Sequence, residues 1–180
     1  MSSLSISDQT LSKLTPCCAL LTLLCSNPGC DTRPPVVINE FMAENDTTLA
    51  DGNTGEYFDW IELHNTSDEM VSLEGLYLTD DLDYHTQHAL SSQLTIAAGG
   101  FLLLWASQNA VNDPTHLDFA LAADGEDLGL YWLNPETGNL TMLDGLTYSA
   151  QQPDISMARN EDGTGAWALT DQATPGASNQ

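Results

Sequence analysis

From Val36 onward the chain never sustains one pattern for long, because short apolar or alternating runs are cut apart by clusters of Gly, Asn, Asp and Pro. Runs at Val36–Met42, Phe58–Asn65, Val71–Leu73, Leu76–Thr79, Leu94–Ile96, Phe101–Trp105, Leu128–Leu133, Met142–Tyr148, Ile155–Arg159 and Trp167–Leu169 read as β-strands. The breakers between them include Ala98-Gly99-Gly100, Ala123-Asp124-Gly125, Glu161-Asp162-Gly163 and Thr174-Pro175-Gly176, residues that tolerate positive φ or preset φ for turns. No segment keeps the i, i+3, i+4, i+7 apolar spacing of a helix, and the best helical candidate, Ser107–Val111, is barely one turn. The pattern predicts an all-β domain over residues 36–180, with Asn134–Asn139 as a hairpin loop and Phe101–Trp105 as a central core strand.

Packing alone must hold such a domain, since Cys17, Cys18, Cys25 and Cys30 all precede it and leave it no disulfide. Its charge is lopsided: 26 Asp plus Glu stand against 3 Lys plus Arg, a formal net charge of −23. Residues 1–29 hold one charge of each sign, Asp8 and Lys13, so the acidity belongs to residues 30–180. A coat of carboxylates repels phosphate backbones and anionic lipid, which excludes nucleic acid as a partner. The coat reads as a solvated, saline-tolerant surface or as a face for divalent cations or a basic partner.

Leu14–Leu24 is apolar but interrupted by Pro16, and a bilayer-crossing helix needs about 20 residues. Behind Lys13 it fits the apolar core of a signal peptide, so residues 1–30 read as an export leader. Gly29-Cys30 is similar to a lipoprotein cleavage site, which marks Cys30 as the candidate lipidation residue, although Asn27 and Pro28 depart from that pattern. Residues 31–35, with Arg33-Pro34-Pro35, read as a stiff linker.

Five segments in order then resemble the lamin tail domain, an immunoglobulin-like β-sandwich. Val37-Ile38-Asn39-Glu40-Phe41-Met42-Ala43 is similar to its opening strand, and Asp59-Trp60-Ile61-Glu62-Leu63-His64-Asn65 to its most recognisable motif. Val71–Asp80 with Gly75, Ile96–Ala106 with Gly99 and Gly100, and Thr174–Asn179 complete the resemblance over residues 36–180. Pleating independently sends Ile61 and Leu63 to the core and turns Trp60, Glu62 and His64 the other way. The resemblance implies an immunoglobulin-like module. Filament assembly is not carried over, because no coiled-coil rod is present.

Candidate chemistry is confined to loops. Asp46, Asp51, Asn53 and Glu56, with Gly52 and Gly55, form an oxygen-rich loop faintly like a calcium loop but without the regular EF-hand spacing. Asp80, Asp81, Asp83 and His85, followed by His88, are the densest polar cluster and a second candidate for Ca²⁺ or Zn²⁺; a solvated acidic turn explains both loops equally. Asp124–Asp127 and Asn160–Gly163 read as turns only. Tyr57 and Tyr84 are the best candidates for surface aromatics, ahead of Phe58, Trp132 and Trp167.

No nucleophile elbow, phosphate loop, zinc-protease helix or dinucleotide fingerprint occurs. The sequence therefore reads as a non-catalytic exported binding, adhesion or structural module of the cell envelope. Its expected partner is an envelope or extracellular protein or polymer, and no cofactor is expected. A calcium-dependent module is the first alternative. A small metal-assisted hydrolase using Asp80, Asp83, His85 or His88 is the second.

Overall fold

A computed structural model describes residues 32–110 and 113–179, and the leader with Cys30 lies outside the described residues. The chain divides after Thr32, and the fold belongs to the second unit, Arg33–Gln180. Its strands are β1 (Val36–Met42), β2 (Asp59–Asn65), β3 (Val71–Ser72), β4 (Leu76–Thr79), β5 (His88–Ala89) and β6 (Thr95–Ile96). β7 (Phe101–Ala106), β8 (Asp127–Leu133), β9 (Leu140–Thr147), β10 (Ser156–Arg159) and β11 (Trp167–Thr170) complete the set, and no helix occurs among the described residues.

These strands form a five-stranded sheet in the order β11-β10-β1-β2-β7, a four-stranded sheet β5-β4-β8-β9 and a small pair β3-β6, with neighbouring strands antiparallel throughout. Ile38, Phe41, Ile61, Leu63 and Leu104 from the first sheet meet Leu76, Leu78, Leu128, Leu130 and Trp132 from the second in one core. Each Leu or Ile so buried stabilises by roughly 1.5–3 kcal/mol. The result is the expected immunoglobulin-like β-sandwich.

The first strand could not pack this way with simple alternation. Ile38 and Phe41 are three residues apart, yet both are fully buried in the same core. A bulge between Ile38 and Glu40 resets the register, so that Ile38 pairs with Leu63, Glu40 with Glu62 and Phe41 with Ile61. Asn39 is the extra residue of the bulge.

One expectation holds with an addition and two need correction. Trp60, Glu62 and His64 do face away from the sandwich core, but that face is covered and all three are buried. Met42, Trp60 and Trp105 form a second cluster there, packed by Leu49, Phe58, Leu103 and Ala173. Phe101–Ala106 is not central: β7 is the edge of its sheet, sheltered on its open side by a parallel bridge from Trp105 to His116. Its continuous apolar run reflects two covered faces rather than a central position. Trp132 is buried in the core, and Trp167 is half-buried against it.

Turn chemistry matches the sequence closely. Asn134–Asn139 joins β8 to β9, with Gly138 at φ 69° and Asn134 Oδ1 accepting from the Glu136 and Thr137 amides at 2.8 and 3.0 Å. Gly75, between β3 and β4, sits at φ 79°.

Candidate functional site

The covered face of the five-stranded sheet is held by carboxylates. Residues Thr174–Asn179 cross it as a strap. Glu40, with no exposed surface, accepts from the Thr174 amide at 3.0 Å, the Thr174 hydroxyl at 2.9 Å and the Ser156 hydroxyl at 2.5 Å. Glu62, equally buried, accepts from the Gly176 amide at 2.5 Å and from Asn39 Nδ2 at 3.1 Å. Asp162 accepts from the Ser178 hydroxyl and from the Asn179 amide at 2.9 Å. Burial pushes the Glu62 carboxyl up to about 7 despite these donors. Hydrogen bonds from Ser178, Asn179 and Asn39 hold Asp162 below its ordinary value against the opposing effect of its own burial. The carboxylates of the Asn39-Glu40 and Trp60-Ile61-Glu62 segments are thus receptors for the terminal Thr-Pro-Gly segment.

A second arrangement lies among the loops. Asp80, Asp81, Asp124, Gly125, Glu126 and Asp127 line an open groove of about 790 Å³ together with Thr147–Ala150. At its base Glu126 Oε1 accepts from the Ala122 amide at 2.7 Å and the Tyr148 hydroxyl at 2.9 Å. Burial raises the Glu126 carboxyl above its ordinary value, and the nearby charges of Asp80 and Asp59 add to the shift. Gly125 stands at φ 100°, and a Cβ there would come within 2.6 Å of the Tyr148 carbonyl oxygen, so the groove floor requires glycine.

The first candidate calcium loop is not assembled as one. The Asp51 carboxylate accepts from the Asn53 and Thr54 amides and the Thr54 hydroxyl within its own turn, bonds that hold it below its ordinary value. Asn53 Nδ2 donates instead to Asp113 Oδ2 at 3.0 Å, and Glu56 is exposed. The exposed Asp46 gives its amide to Asp154 at 3.1 Å. The Asp154 carboxylate also accepts from the amides and hydroxyls of Thr47 and Thr48, and these bonds lower it to about 2.

The second candidate loop separates into parts with different tasks. Asp80 and Asp81 face the groove, while Asp83 is exposed and its amide donates to Asp81 Oδ1 at 2.8 Å. His85 stacks on Tyr131 with ring centroids 4.6 Å apart, so the loop lies over the outer face of the four-stranded sheet. His88 is buried with Nδ1 2.8 Å from Asp118. Among the described residues no three His, Cys, Asp or Glu side chains converge as metal ligands. Tyr57 and Tyr84 are exposed as expected.

Sequence reasoning set Asp124, Glu126 and Asp127 aside as turn residues. Nothing in their spacing reveals that long-range pairing of β4 with β8 brings them beside Asp80 and Asp81.

The sandwich and the Asp59–Asn65 strand agree with one family. Its sequence profile, the Lamin Tail Domain, matches residues 31–152. The chain belongs to the lamin tail domain family. The matched region ends before β10, yet β10 pairs with β1 and delivers Ser156 to Glu40. Residues 153–179 therefore complete the five-stranded sheet of this lamin tail domain and cover its outer face. No curated protein matches the chain.

Proposed function

We propose that this lamin tail domain is an exported, non-catalytic binding or structural module of the cell envelope that meets a cationic partner through its acidic loop end. The observation that supports it is where the titratable groups stand. Glu40, Glu62, Asp51, His64, His88 and His116 are buried and engaged by neighbouring groups, whereas Asp80, Asp81, Asp124 and Asp127 border an open groove. Fixed negative charge on an open concave surface selects positive ligands and speeds their encounter.

The nearest approach to a catalytic arrangement supports the same reading. Ser107 Oγ lies 2.8 Å from His116 Nδ1, but His116 Nε2 is 3.6 Å from Asp51, beyond hydrogen-bond reach. Ser107 also lines neither of the grooves that His116 borders. The trio ties the Asp51 turn to the segment after β7. Hydrolysis of generic ester or phosphate substrates by the purified domain, abolished by His116→Ala or His88→Ala, would overturn the non-catalytic reading.

Export is proposed on the apolar Leu14–Leu24 stretch and Cys30. Intact mass of the protein taken from its native envelope tests it: cleavage before Cys30 with an added acyl mass is expected, and an unprocessed chain contradicts it.

The calcium-dependent reading rests on Asp80, Asp81, Asp124, Glu126 and Asp127 bordering one open groove, where no three of the described side chains converge as ligands. A native-state ligand must raise stability. A melting temperature that rises with millimolar Ca²⁺, and does not after Asp124→Asn with Asp127→Asn, would establish it.

A further inference from the structure

The strap buries two like charges side by side. Glu40 and Glu62 are register partners on β1 and β2, with no surface exposed on either. Directly opposed residues of an antiparallel pair have Cβ atoms about 4.5–5.5 Å apart. Two carboxyl groups on adjoining positions, both out of water, disfavour ionising together.

We propose that Glu40 and Glu62 hold a single proton between them, and that its loss loosens the Thr174–Asn179 strap that covers the two carboxyl groups. Three donor groups converge on Glu40, namely the Ser156 hydroxyl and the Thr174 amide and hydroxyl. Glu62 receives only the Gly176 amide and Asn39 Nδ2, and burial pushes its carboxyl up to about 7.

The described side chains that hydrogen-bond to the pair, Ser156, Thr174 and Asn39, carry no positive charge. Asn39 links Glu62 to Asp162, a further anion, and His64 on β2 acts on Asp162. β7 presents Leu103 opposite Glu62, β10 presents Ser156, and the strap presents Thr174, Pro175 and Gly176, all uncharged. Arg159 on β10 is committed to Asp144 of the other sheet. When Glu62 gives its proton to solvent, the available relief is entry of water, and the strap is what stands in the way. Ala173, the residue before the strap, packs with Leu49 and Phe58 on the cluster of Met42, Trp60 and Trp105, so the strap begins from an anchored position.

Hydrogen exchange of the Thr174, Gly176 and Asn179 amides, expressed as protection over the intrinsic rate, tests the device in the full chain. Protection is expected to fall roughly tenfold or more between about pH 6 and about pH 9, and to stay level in Glu62→Gln. Carboxyl ¹³C spectra of the unmodified protein give a second readout that needs no variant to fold: one of the two side chains should titrate near neutrality. Level strap protection in the unmodified chain, a pH response that survives Glu62→Gln, or two ionised carboxylates at about pH 5.5 would each overturn the proposal.

Discussion

Arg159 on β10 reaches across the sandwich to Asp144 on β9, with Nη2 2.9 Å from both carboxylate oxygens. The same guanidinium donates to the Ile38 carbonyl at 2.8 Å and the Gly165 carbonyl at 3.0 Å, and lies 4.4 Å over the Trp167 ring. Asp144 in turn accepts from the Ile38 amide at 2.9 Å, beside the bulge in β1. One ion pair thereby links the two sheets at the point where the first strand changes register.

Removing the arginine leaves Asp144 largely buried without its partner, a loss typically of about 3–5 kcal/mol. Arg159→Ala is expected to lower unfolding free energy by about 3 kcal/mol or more in urea titration. A change under about 0.5 kcal/mol would place this pair among surface ion pairs of little consequence.

Stability should depend on pH in two opposite ways. The Glu62 carboxyl titrates near 7 in the fold against about 4.5 when unfolded, so its contribution is complete below the lower value and is lost as pH rises through the upper one. Asp51, Asp113, Asp154 and Asp162 are held below their ordinary values, so theirs is present above about pH 4 and lost on further acidification. Chemical denaturation should show a maximum between about pH 4 and pH 7, and Glu62→Gln should flatten the alkaline limb by on the order of 2 kcal/mol. An alkaline limb identical in the variant contradicts this assignment.

The surface charge makes ionic strength the third variable. A net charge of −23 repels itself, and salt screens it over about 10 Å at 0.1 M and about 3 Å at 1 M. Raising NaCl from about 0.05 to about 1 M should lift the melting temperature by roughly 5 °C or more, a gain on the order of 1 kcal/mol. A flat profile would mean that carboxylate repulsion is already relieved.

Asp154 offers a local test. Its carboxylate gathers the amides of Asp46, Thr47 and Thr48 although its own φ is 61°. Asp154→Ala should free that loop, seen as faster amide exchange at residues 46–48, with a stability loss of about 1 kcal/mol, as for a lost capping side chain. Unchanged exchange there would show that the loop is held by other contacts.

Much of this architecture was written in local pattern. Turn glycines and apolar runs located ten strands to within a few residues, because a strand's length and its turn chemistry are local properties. β5, His88–Ala89, escaped because, unlike the equally short β3 and β6, it lies in no apolar run. Trp60, Glu62 and His64 could be assigned a face but not a fate, since the strap that engages Glu62 lies more than a hundred residues away and Trp60 is covered by Leu49 and Phe58 from outside its own strand. For the same reason Glu40 and Glu62 read as family markers and not as receptors. The groove was half legible: Asp80 and Asp81 stood out as a cluster, while Asp124, Glu126 and Asp127 looked like any acidic turn until strand pairing placed them opposite. Spacing in sequence cannot show carboxylates that converge through sheet register.

Charge-matched variants test the acidic end as the binding surface most directly. One variant neutralises Asp80, Asp124 and Asp127 in the groove, and its control neutralises Asp68, Glu74 and Glu136, which lie outside the groove lining. Capture of a single partner from an extract of the source cells is predicted to survive the control and to be lost with the groove variant. Equal loss in both variants, or full capture by the groove variant, would contradict the account.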